Sequence, residues 1–389
     1  MAHNSGTFIV SAPGKVILFG EHAVVHGKHA IAAAVSLRNY LMVQDSPQNG
    51  SIVLDFPELQ CKESWKIDDL PWPAKSEVSQ VPGTELDPKV VASIQPLIEG
   101  KSTFQQAAIF AFLYLYLTIC HRDTPAKLYI SRSMLPVGAG LGSSGSFSVC
   151  LSAAFLRLAG ISGSKEQQIN TINEHAFLGE KCIHGNPSGI DNTVSTRGGA
   201  VLFQRPSKLV PLHQFPPLRL LLTNTNVPRR TSELVAGVGM LKNEYPLIMG
   251  SILDAVDHIV LSAQEALTSG DLKKLSDLIN LNHGLLISMG VSHPELELVG
   301  AAAQKLGLGN TKLTGAGGGG CAITLVTDSV DLNQRVTQFK EQLSGKEVFE
   351  TLLGAPGVGY VDVEVSREEF YALSSENFES VGKWIYWSA

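Results

Sequence analysis

A glycine-rich segment, LPVGAGLGSSGSFSV at residues 135–149, constrains the fold of this chain more than any other feature. It directly follows KLYISRS at 127–133, an apolar run with β-branched residues, and it leads into SVCLSAAFLRL at 148–158. The first run is typical of a strand, and the second carries apolar residues nearly all round, as a buried helix does. The sequence therefore predicts a strand, a glycine loop and a buried helix in succession.

Two known phosphate-binding motifs do not explain this loop. Gly140, Gly142 and Gly145 match G-x-G-x-x-G, the dinucleotide-binding pattern, but that fold needs a second parallel strand that ends in an acidic residue about 20 positions later. The segment SGSKEQQ begins a helix there instead, and the same glycine spacing recurs at 315–320. The lysine of the P-loop pattern is also missing, so we reject both motifs.

The loop nevertheless has the properties of an anion site. Glycine lets the backbone approach a ligand closely, and a helix that begins at Ser143 or Ser144 offers unpaired N–H groups and the positive end of its dipole. We expect one serine to cap the helix and the other to meet a metal ion. Small residues could instead serve only tight packing, but the glycine density and the paired serines favour a phosphate site.

Three further stretches carry candidate functional residues. SAPGKVILFGEHAVVHGK at 11–28 places Lys15 for anion neutralisation and Glu21 and His22 for polar substrate contacts. Its histidines have helical metal-ligand spacing but no accompanying fourth ligand, so zinc is not predicted. GEKCIHGNPSGIDN at 179–192 holds Glu180 near a helix end and Asp191 in a loop. A glycine–proline frame around Asp191 suits a positioned base better than a solvated surface acid.

The third stretch, KLTGAGGGGCAITL at 312–325, has four consecutive glycines between two strand-like runs. Such a run packs no side chains and costs backbone entropy, so it implies close approach to a ligand or to another backbone. One lysine, two separated carboxylates, a metal-capable serine and a phosphate loop are the components of phosphoryl transfer. These residues alone leave the acceptor open.

The length of 389 residues predicts about two domains, and near 225–230 the hydrophobic pattern changes from strand-like runs to helical spacing. We therefore expect domains at 1–228 and 229–389. The first reads as rich in strands (TFIVSAP, AIAAAVS, RNYLMVQD, SIVLDF and the later VSTRGGAVLF), with an exposed excursion at 60–83. Helical spacing dominates after residue 230. Segregated runs of strands and helices predict an α+β fold.

Composition excludes several classes of protein. A net charge of −6 argues against a nucleic-acid partner, and five scattered cysteines without a C-x-x-C pair fit a reducing compartment rather than a disulfide or zinc scaffold. The most apolar run, at 107–120, is shorter than the about 20 residues that span a bilayer. We expect a cytoplasmic protein with no membrane partner.

These stretches, together with TNTNVPRRT at 223–231, resemble the GHMP kinase superfamily, in particular its mevalonate kinases, from about residue 8 to 326. The resemblance implies an N-terminal domain of the ribosomal-protein-S5-domain-2-like type, a C-terminal ferredoxin-like domain and an active site between them. It also implies ATP-dependent phosphorylation of the 5-hydroxyl of (R)-mevalonate, in the mevalonate pathway of isoprenoid and sterol biosynthesis. Homodimers and feedback inhibition by prenyl diphosphates are further expectations from the family.

The same resemblance assigns roles to individual residues. Asp191 is the expected catalytic base and Lys15 its electrostatic partner, while Ser144 and Glu180 are expected to hold Mg²⁺. The expected nucleotide site comprises Lys15, Pro136, Gly138, Ala139, Gly140, Leu141, Gly142, Ser143 and Ser144. The expected mevalonate site comprises Glu21, His22, Asp191, Thr231 and Gly317.

The chain departs in three places from what the family often carries: Gly145-Ser146 in place of alanines, Phe147 in place of tyrosine, and Arg230 in place of asparagine. We expect none of them to touch a residue with a chemical role. Alternative activities are phosphomevalonate kinase and galactokinase, although the latter normally has Thr-Asp-Tyr where this chain has Ala-Val-Val at 23–25. A catalytically silent small-molecule sensor is a third reading, disfavoured because all four candidate chemical residues are present.

Overall fold

The computed structural model describes residues 6–73, 83–136, 140–204, 208–212, 217–327 and 330–387. Thirteen strands lie in these residues. They are β1 Phe8–Phe19, β2 His29–Asp45, β3 Ser51–Phe56, β4 Cys61–Lys66, β5 Lys127–Ser133, β6 Ala200–Gln204, β7 Lys208–Leu212, β8 Leu218–Asn224, β9 Thr311–Leu313, β10 Cys321–Leu325, β11 Glu347–Leu353, β12 Gly359–Asp362 and β13 Ile385–Tyr386.

Twelve α-helices lie in the same residues. They are α1 Pro88–Ile98, α2 Thr103–Ile119, α3 Ser143–Leu158, α4 Lys165–His184, α5 Ile190–Arg197, α6 Thr231–Glu244, α7 Pro246–Ser269, α8 Leu272–Ser288, α9 Pro294–Lys305, α10 Leu332–Gln342, α11 Arg367–Ala372 and α12 Ser375–Phe378. Their order, with α1 to α5 set among the first strands and α6 to α9 consecutive, matches the predicted change of texture after residue 230.

The long strand β2 organises the sheet. Its edges pair with β1, β5, β6 and, through one residue pair, β11, so it joins the N-terminal strands to the β11-β8-β10-β9 strands of the C-terminal half. The last strands, β12 and β13, return to pair beside β1. Buried Arg38 supports this return, since its guanidinium donates to the carbonyl oxygens of Pro356 (2.8 Å) and Gly357 (2.7 Å). The domain boundary near 228 stays a prediction.

Most of the predicted strands and helices are present, with two corrections in the N-terminal half. The apolar runs at 30–36 and 38–45 are one continuous strand, β2, because hydrophobic residues bury both of its faces. The polar segment after Gln60 is not simply an exposed excursion, since β4 pairs with β3 along its whole length. β4 is an edge strand whose outward side chains are polar, which hid it from an apolar-period argument. Residues 74–82 lie outside the described residues.

A third correction concerns the segment after Gly189. The sequence favoured a loop at Asp191 and a strand from Val194, but residues 190–197 form helix α5. Gly189 caps this helix in a left-handed conformation (φ 78°), and Val194 and Thr196 are buried in it. Packing of α5 against its neighbours outweighs the β preference of those branched residues, because intrinsic propensities are weak compared with burial.

Helix α7 meets the length and composition requirements for a membrane span, and it does so alone among the described residues. Several of its apolar side chains, including Leu253 and Val260, nevertheless belong to the protein core. Its acidic residues also bind the N-terminal half: Asp254 accepts from Lys28 at 2.5 Å, and Asp257 accepts from the His29 backbone at 2.7 Å. We therefore describe α7 as a helix that packs on β2.

Helix α4 contains a buried histidine that predicts acid sensitivity. Burial lowers the pKa of His175 to about 4, below the value of about 6.5 in an unfolded chain. Below pH 6.5 His175 is therefore protonated in the unfolded chain but stays neutral in the folded protein. The free energy of unfolding falls as the pH drops from 6.5 towards 4. The loss reaches about 3 kcal/mol. We expect urea unfolding of His175→Leu to show a flatter pH dependence, whereas His121→Gln, at an exposed site, leaves it unchanged; equal slopes in both would contradict this.

Candidate active site

The glycine loop is fixed to strand β1 at both of its ends. The Lys15 N–H donates to the Leu141 carbonyl at 2.8 Å, and the side chains of Leu135 and Leu141 are buried in the core. Gly14 permits this approach, since a Cβ there would lie 2.8 Å from the Leu141 oxygen. Leu141 can therefore offer only its backbone to a ligand. Pro136 is described, whereas the predicted nucleotide contacts Gly138 and Ala139 lie outside the described residues.

Helix α3 begins directly after the loop, with Gly142 rather than a serine as its N-cap. Gly142 is left-handed (φ 71°), and no side chain caps the helix, so the expectation that a serine would cap it was wrong. The first helical bond runs from the Ser146 N–H to the Gly142 carbonyl. The preceding N–H groups of 143–145 thus have no acceptor within the helix, which is the arrangement that binds anions.

Lys15 and Asp191 form an ion pair beneath this helix start. The Lys15 ammonium lies 3.0 Å from Asp191 Oδ1, and both side chains are mostly buried. A Cβ at Gly142 would lie 2.9 Å from Lys15 Cγ and 3.5 Å from Asp191 Oδ2, so the loop passes directly over the pair. Asp191 is in the first turn of α5, where the helix dipole favours a carboxylate.

Gly145 contacts the same aspartate, contrary to the expectation that no departure would touch a chemical residue. A Cβ at Gly145 would lie 2.9 Å from Asp191 Cβ and 3.2 Å from the Asn192 nitrogen. The absence of a side chain lets α3 and α5 approach closely at the ion pair. The other two departures have different partners: Phe147 packs on Phe56 at 5.0 Å between ring centroids, and Arg230 donates to exposed Glu233.

Ser144 and Glu180 also come together, with a partner that the sequence analysis missed. The Ser144 hydroxyl lies 3.5 Å from Glu180 Oε1 and 2.8 Å from His184 Nε2. His184 follows Glu180 by four residues on α4, which places both on one helix face. Burial, and secondarily the charge of Asp191, raises the pKa of Glu180 to about 8. A cation beside this carboxyl would restore its charged form.

The donor set fits magnesium better than a protein-only metal cage. No cluster of three or more His, Cys, Asp and Glu side chains with metal-binding geometry occurs among the described residues. Mg²⁺ characteristically takes one or two protein oxygens, keeps several waters and completes its shell with substrate phosphates. Glu180 and Ser144 supply such oxygens beside the anion-binding helix start.

Glu21 and His22 lie against the glycine stretch at 312–325. Both are buried, and the His22 Nε2 donates to the Ala316 carbonyl at 2.9 Å. The His22 backbone has a positive φ (60°, with ψ −45°), and such sparsely populated conformations cost a non-glycine residue about 1–3 kcal/mol and cluster at functional sites. Gly317 approaches the protein backbone here, since a Cβ would lie 2.0 Å from the Val291 oxygen.

Arg229 links the two glycine stretches and was also missed. A Cβ at Gly140 would lie 2.2 Å from its guanidinium, one at Gly315 2.8 Å, and one at Gly320 2.2 Å from its Cδ. Burial lowers the pKa of Arg229, and the charge of Asp191 opposes that shift. Thr231, two residues later, is exposed at the start of α6, and within the described part of the chain its side chain makes no hydrogen bond to the other candidates.

This fold and this arrangement of residues define a GHMP kinase. The family model for the GHMP kinase N-terminal domain matches residues 106–199, and the model for the C-terminal domain matches 263–345. Mevalonate kinase of Candida albicans is 45% identical, with 90% of this chain and 89% of that protein covered. The human mevalonate kinase is 39% identical, with 91% and 95% covered. The chain belongs to the mevalonate kinase family.

Solved structures agree with this assignment. The mevalonate kinase of L. major in complex with R-mevalonate has a TM-score of 0.68 at 27% identity, with 89% of this chain and 96% of that chain covered. The Methanococcus jannaschii mevalonate kinase has a TM-score of 0.69 at 22% identity, with 89% and 98% covered, which supports the fold. The α+β GHMP kinase fold implied by the sequence is therefore confirmed.

Proposed function

We propose that this chain transfers the γ-phosphoryl group of ATP to the 5-hydroxyl of (R)-mevalonate, which yields 5-phosphomevalonate and ADP in isoprenoid biosynthesis. The observation that carries the proposal is the Lys15–Asp191 pair, 3.0 Å apart directly under the glycine loop and helix start, in a chain of the mevalonate kinase family. A base beside a phosphate site is what phosphorylation of an alcohol requires, because a neutral alcohol is a weak nucleophile.

In the proposed mechanism, the acceptor hydroxyl gives its proton to Asp191 as its oxygen forms a bond to the γ-phosphorus. The bond from the γ-phosphorus to the bridging oxygen breaks, and ADP leaves. The Lys15 ammonium offsets the negative charges of the Asp191 carboxylate and of the phosphoryl group that is transferred. The free N–H groups at 143–145 hold phosphate oxygens, and Arg229 adds positive charge where the two glycine stretches meet.

We assign the magnesium site to Ser144 and Glu180, and Mg²⁺ bound there would neutralise charge on the β- and γ-phosphate oxygens. Glu21 and His22 are assigned to mevalonate, together with Thr231 and Gly317. In support, the carboxylate oxygen Glu21 Oε2 and the ring nitrogen His22 Nδ1 are buried without a partner among the described residues. Buried polar atoms of this kind normally form a hydrogen bond, and both are acceptors that suit the hydroxyl groups of a substrate.

The proposal is tested by measuring ADP release with mevalonate, phosphomevalonate, galactose and homoserine as acceptors. We expect turnover with mevalonate and at most a trace with the others. Phosphomevalonate or galactose as the preferred acceptor would contradict the proposal in favour of another member of the superfamily. No turnover with any acceptor would favour a silent sensor, provided that ATP still binds.

Replacement of Ser144 by alanine is expected to raise the Mg²⁺ concentration for half-maximal activity by about 10-fold, because it removes one of two assigned ligand oxygens. The measurement is a Mg²⁺ titration at saturating ATP. Ser152→Ala, which removes a buried hydroxyl from the same helix, is the matched control. An unchanged titration for Ser144→Ala would contradict its assignment as a ligand.

We further propose that the protein is a homodimer. Support comes from Met240, Leu247 and Ile248 at the α6–α7 junction, which are 66%, 86% and 63% exposed. Neighbouring large apolar side chains at a surface favour association. Light scattering after size-exclusion chromatography should give twice the chain mass, and Leu247→Glu should shift it towards the monomer; a monomeric native protein would contradict the proposal.

We also propose two further properties of the family for this chain. A prenyl diphosphate would compete with ATP, since its diphosphate suits the same N–H groups at 143–145; inhibition that is independent of ATP concentration would contradict this. A cytoplasmic location is supported by five cysteines that are all buried and unpaired, as in a reducing compartment. Imaging of a fluorescent fusion tests it, and signal confined to an organelle would contradict it.

A further inference from the structure

A fully buried lysine, Lys312, contacts one of the candidate mevalonate-binding residues. Lys312, in β9, has no solvent exposure, and its ammonium contacts Glu21 Oε1 and donates to the Leu313 carbonyl at 2.8 Å. Glu21 follows β1, so the pair joins the C-terminal half of the chain to the loop that holds the candidate substrate contacts. Lysine is almost never fully buried unless it is paired.

Stability does not account for this pair. Removing two charges from water costs more than a typical ion pair recovers, and apolar residues of similar volume often serve a core as well or better. The halves of the site are also joined without it, because the Thr314 hydroxyl donates to the Ile17 carbonyl at 2.9 Å and the His22 Nε2 donates to the Ala316 carbonyl at 2.9 Å. A different role is needed for a charge in this position.

The contacts of Glu21 indicate that role. Lys312 engages Oε1, whereas Oε2 is buried without a hydrogen-bond partner among the described residues. The adjacent His22 Nδ1 is in the same state, while its Nε2 is held by Ala316. Each side chain therefore binds the segment 312–325 through one polar atom, Glu21 through Lys312 and His22 through Ala316. The second polar atom of each side chain remains available to a ligand.

With no partner, the Glu21 carboxylate could rotate about its terminal bonds, and Oε2 would have no fixed direction. The ion pair between Lys312 and Glu21 Oε1 fixes that direction. The backbone next to Lys312 is itself held in position. The Leu313 N–H donates to His283 Nδ1, and Leu313 is fully buried.

We propose that Lys312 is a positioning residue for the acceptor substrate: through its ion pair with Oε1 it holds the Glu21 carboxylate in one orientation, so that Glu21 Oε2 accepts a hydrogen bond from a substrate hydroxyl. This inference rests on the proposed function. It predicts that loss of the Lys312 charge weakens recognition of mevalonate selectively, while the ATP side, built from the loop at 140–144, is little affected.

The test combines Lys312→Met, Glu21→Gln and the double variant. We expect Lys312→Met to raise KM for mevalonate at least tenfold with KM for ATP within twofold. Because Lys312 acts through Glu21, the double variant should match Glu21→Gln in kcat/KM within twofold. Lys127→Met is the matched control: this lysine is also buried and paired with an aspartate, but lies at the far end of β5. It should leave both KM values unchanged.

If Lys312→Met does not fold, Lys312→Gln, which keeps hydrogen-bond donors but no charge, is measured in the same way with the same expectation. An unchanged KM for mevalonate in a folded variant, or losses from Lys312 and Glu21 that multiply in the double variant, would overturn the inference. Failure of the native protein to phosphorylate mevalonate contradicts the proposed function instead, so the two failures are distinguishable.

Discussion

We expect Asp191→Asn to lower kcat by about 10³-fold and to leave ATP affinity within a few-fold of native, in line with the 10²–10⁴-fold effects of general bases. Asparagine has nearly the same shape, so it keeps the contacts with α3 at Gly145, but it cannot take the proton of the attacking hydroxyl. It also leaves the Lys15 ammonium without its counter-charge, 3.0 Å away in the native protein.

The measurement is steady-state ADP release together with calorimetric ATP binding. Asp45→Asn is the matched control, since Asp45 also binds a lysine, Lys127, at 2.6 Å but at the remote end of β2. It should retain native kcat. Near-native kcat for Asp191→Asn would show that Asp191 is not the base, and loss of ATP binding in proportion to kcat would assign it a binding role instead.

The second large effect is expected from Glu180→Gln. Glutamine removes the negative charge of the buried carboxyl, and we expect the Mg²⁺ concentration for half-maximal activity to rise at least about tenfold and kcat at saturating Mg²⁺ to fall about 100-fold. The fall in kcat follows because charge on the leaving phosphates is then less well neutralised. The loss should exceed that of Ser144→Ala, since a hydroxyl is a weaker magnesium ligand than a carboxylate.

A Mg²⁺ titration of initial rates checks this result. Glu174→Gln, on the exposed face of the same helix, is the control and should behave as native. Glu180 is buried, and its replacement by glutamine removes an ionisable group from the interior. The free energy of unfolding of Glu180→Gln at neutral pH should therefore be at least that of the native protein. A Mg²⁺ response equal to native would contradict the assignment of Glu180.

The sequence predicted those parts of the site that depend on local pattern. Strand β5, the glycine loop and the helix from Ser143 follow one another within a short segment, where the period of apolar residues and the positions of the glycines are informative. The interpretation of the glycines at 317–320 as sites of close approach was also sound, since Gly317 backs onto Val291. The prediction of a loop at Asp191 was wrong because glycine is typical of loops. Gly189 instead is the N-cap of helix α5.

The contacts that were missed depend on chain segments far apart in sequence. Ser144 and His184 are separated by 40 residues, and Glu21 and Lys312 by 291. The i, i+4 spacing of Glu180 and His184 was the available signal for the first. For the second it was a lysine at the start of a buried strand. Arg229 had no such signal, because its position follows from the packing of two glycine stretches around it.

The most direct test of the account is the identity of the product formed from ATP and (R)-mevalonate, examined by phosphorus NMR and mass spectrometry. We predict one ADP for each phosphomonoester, with a phosphorus signal split by the two protons of the adjacent methylene group, as a phosphate on the primary 5-oxygen requires. ADP without phosphorylated mevalonate, or a phosphate on the tertiary 3-oxygen with no such splitting, would contradict the proposed reaction.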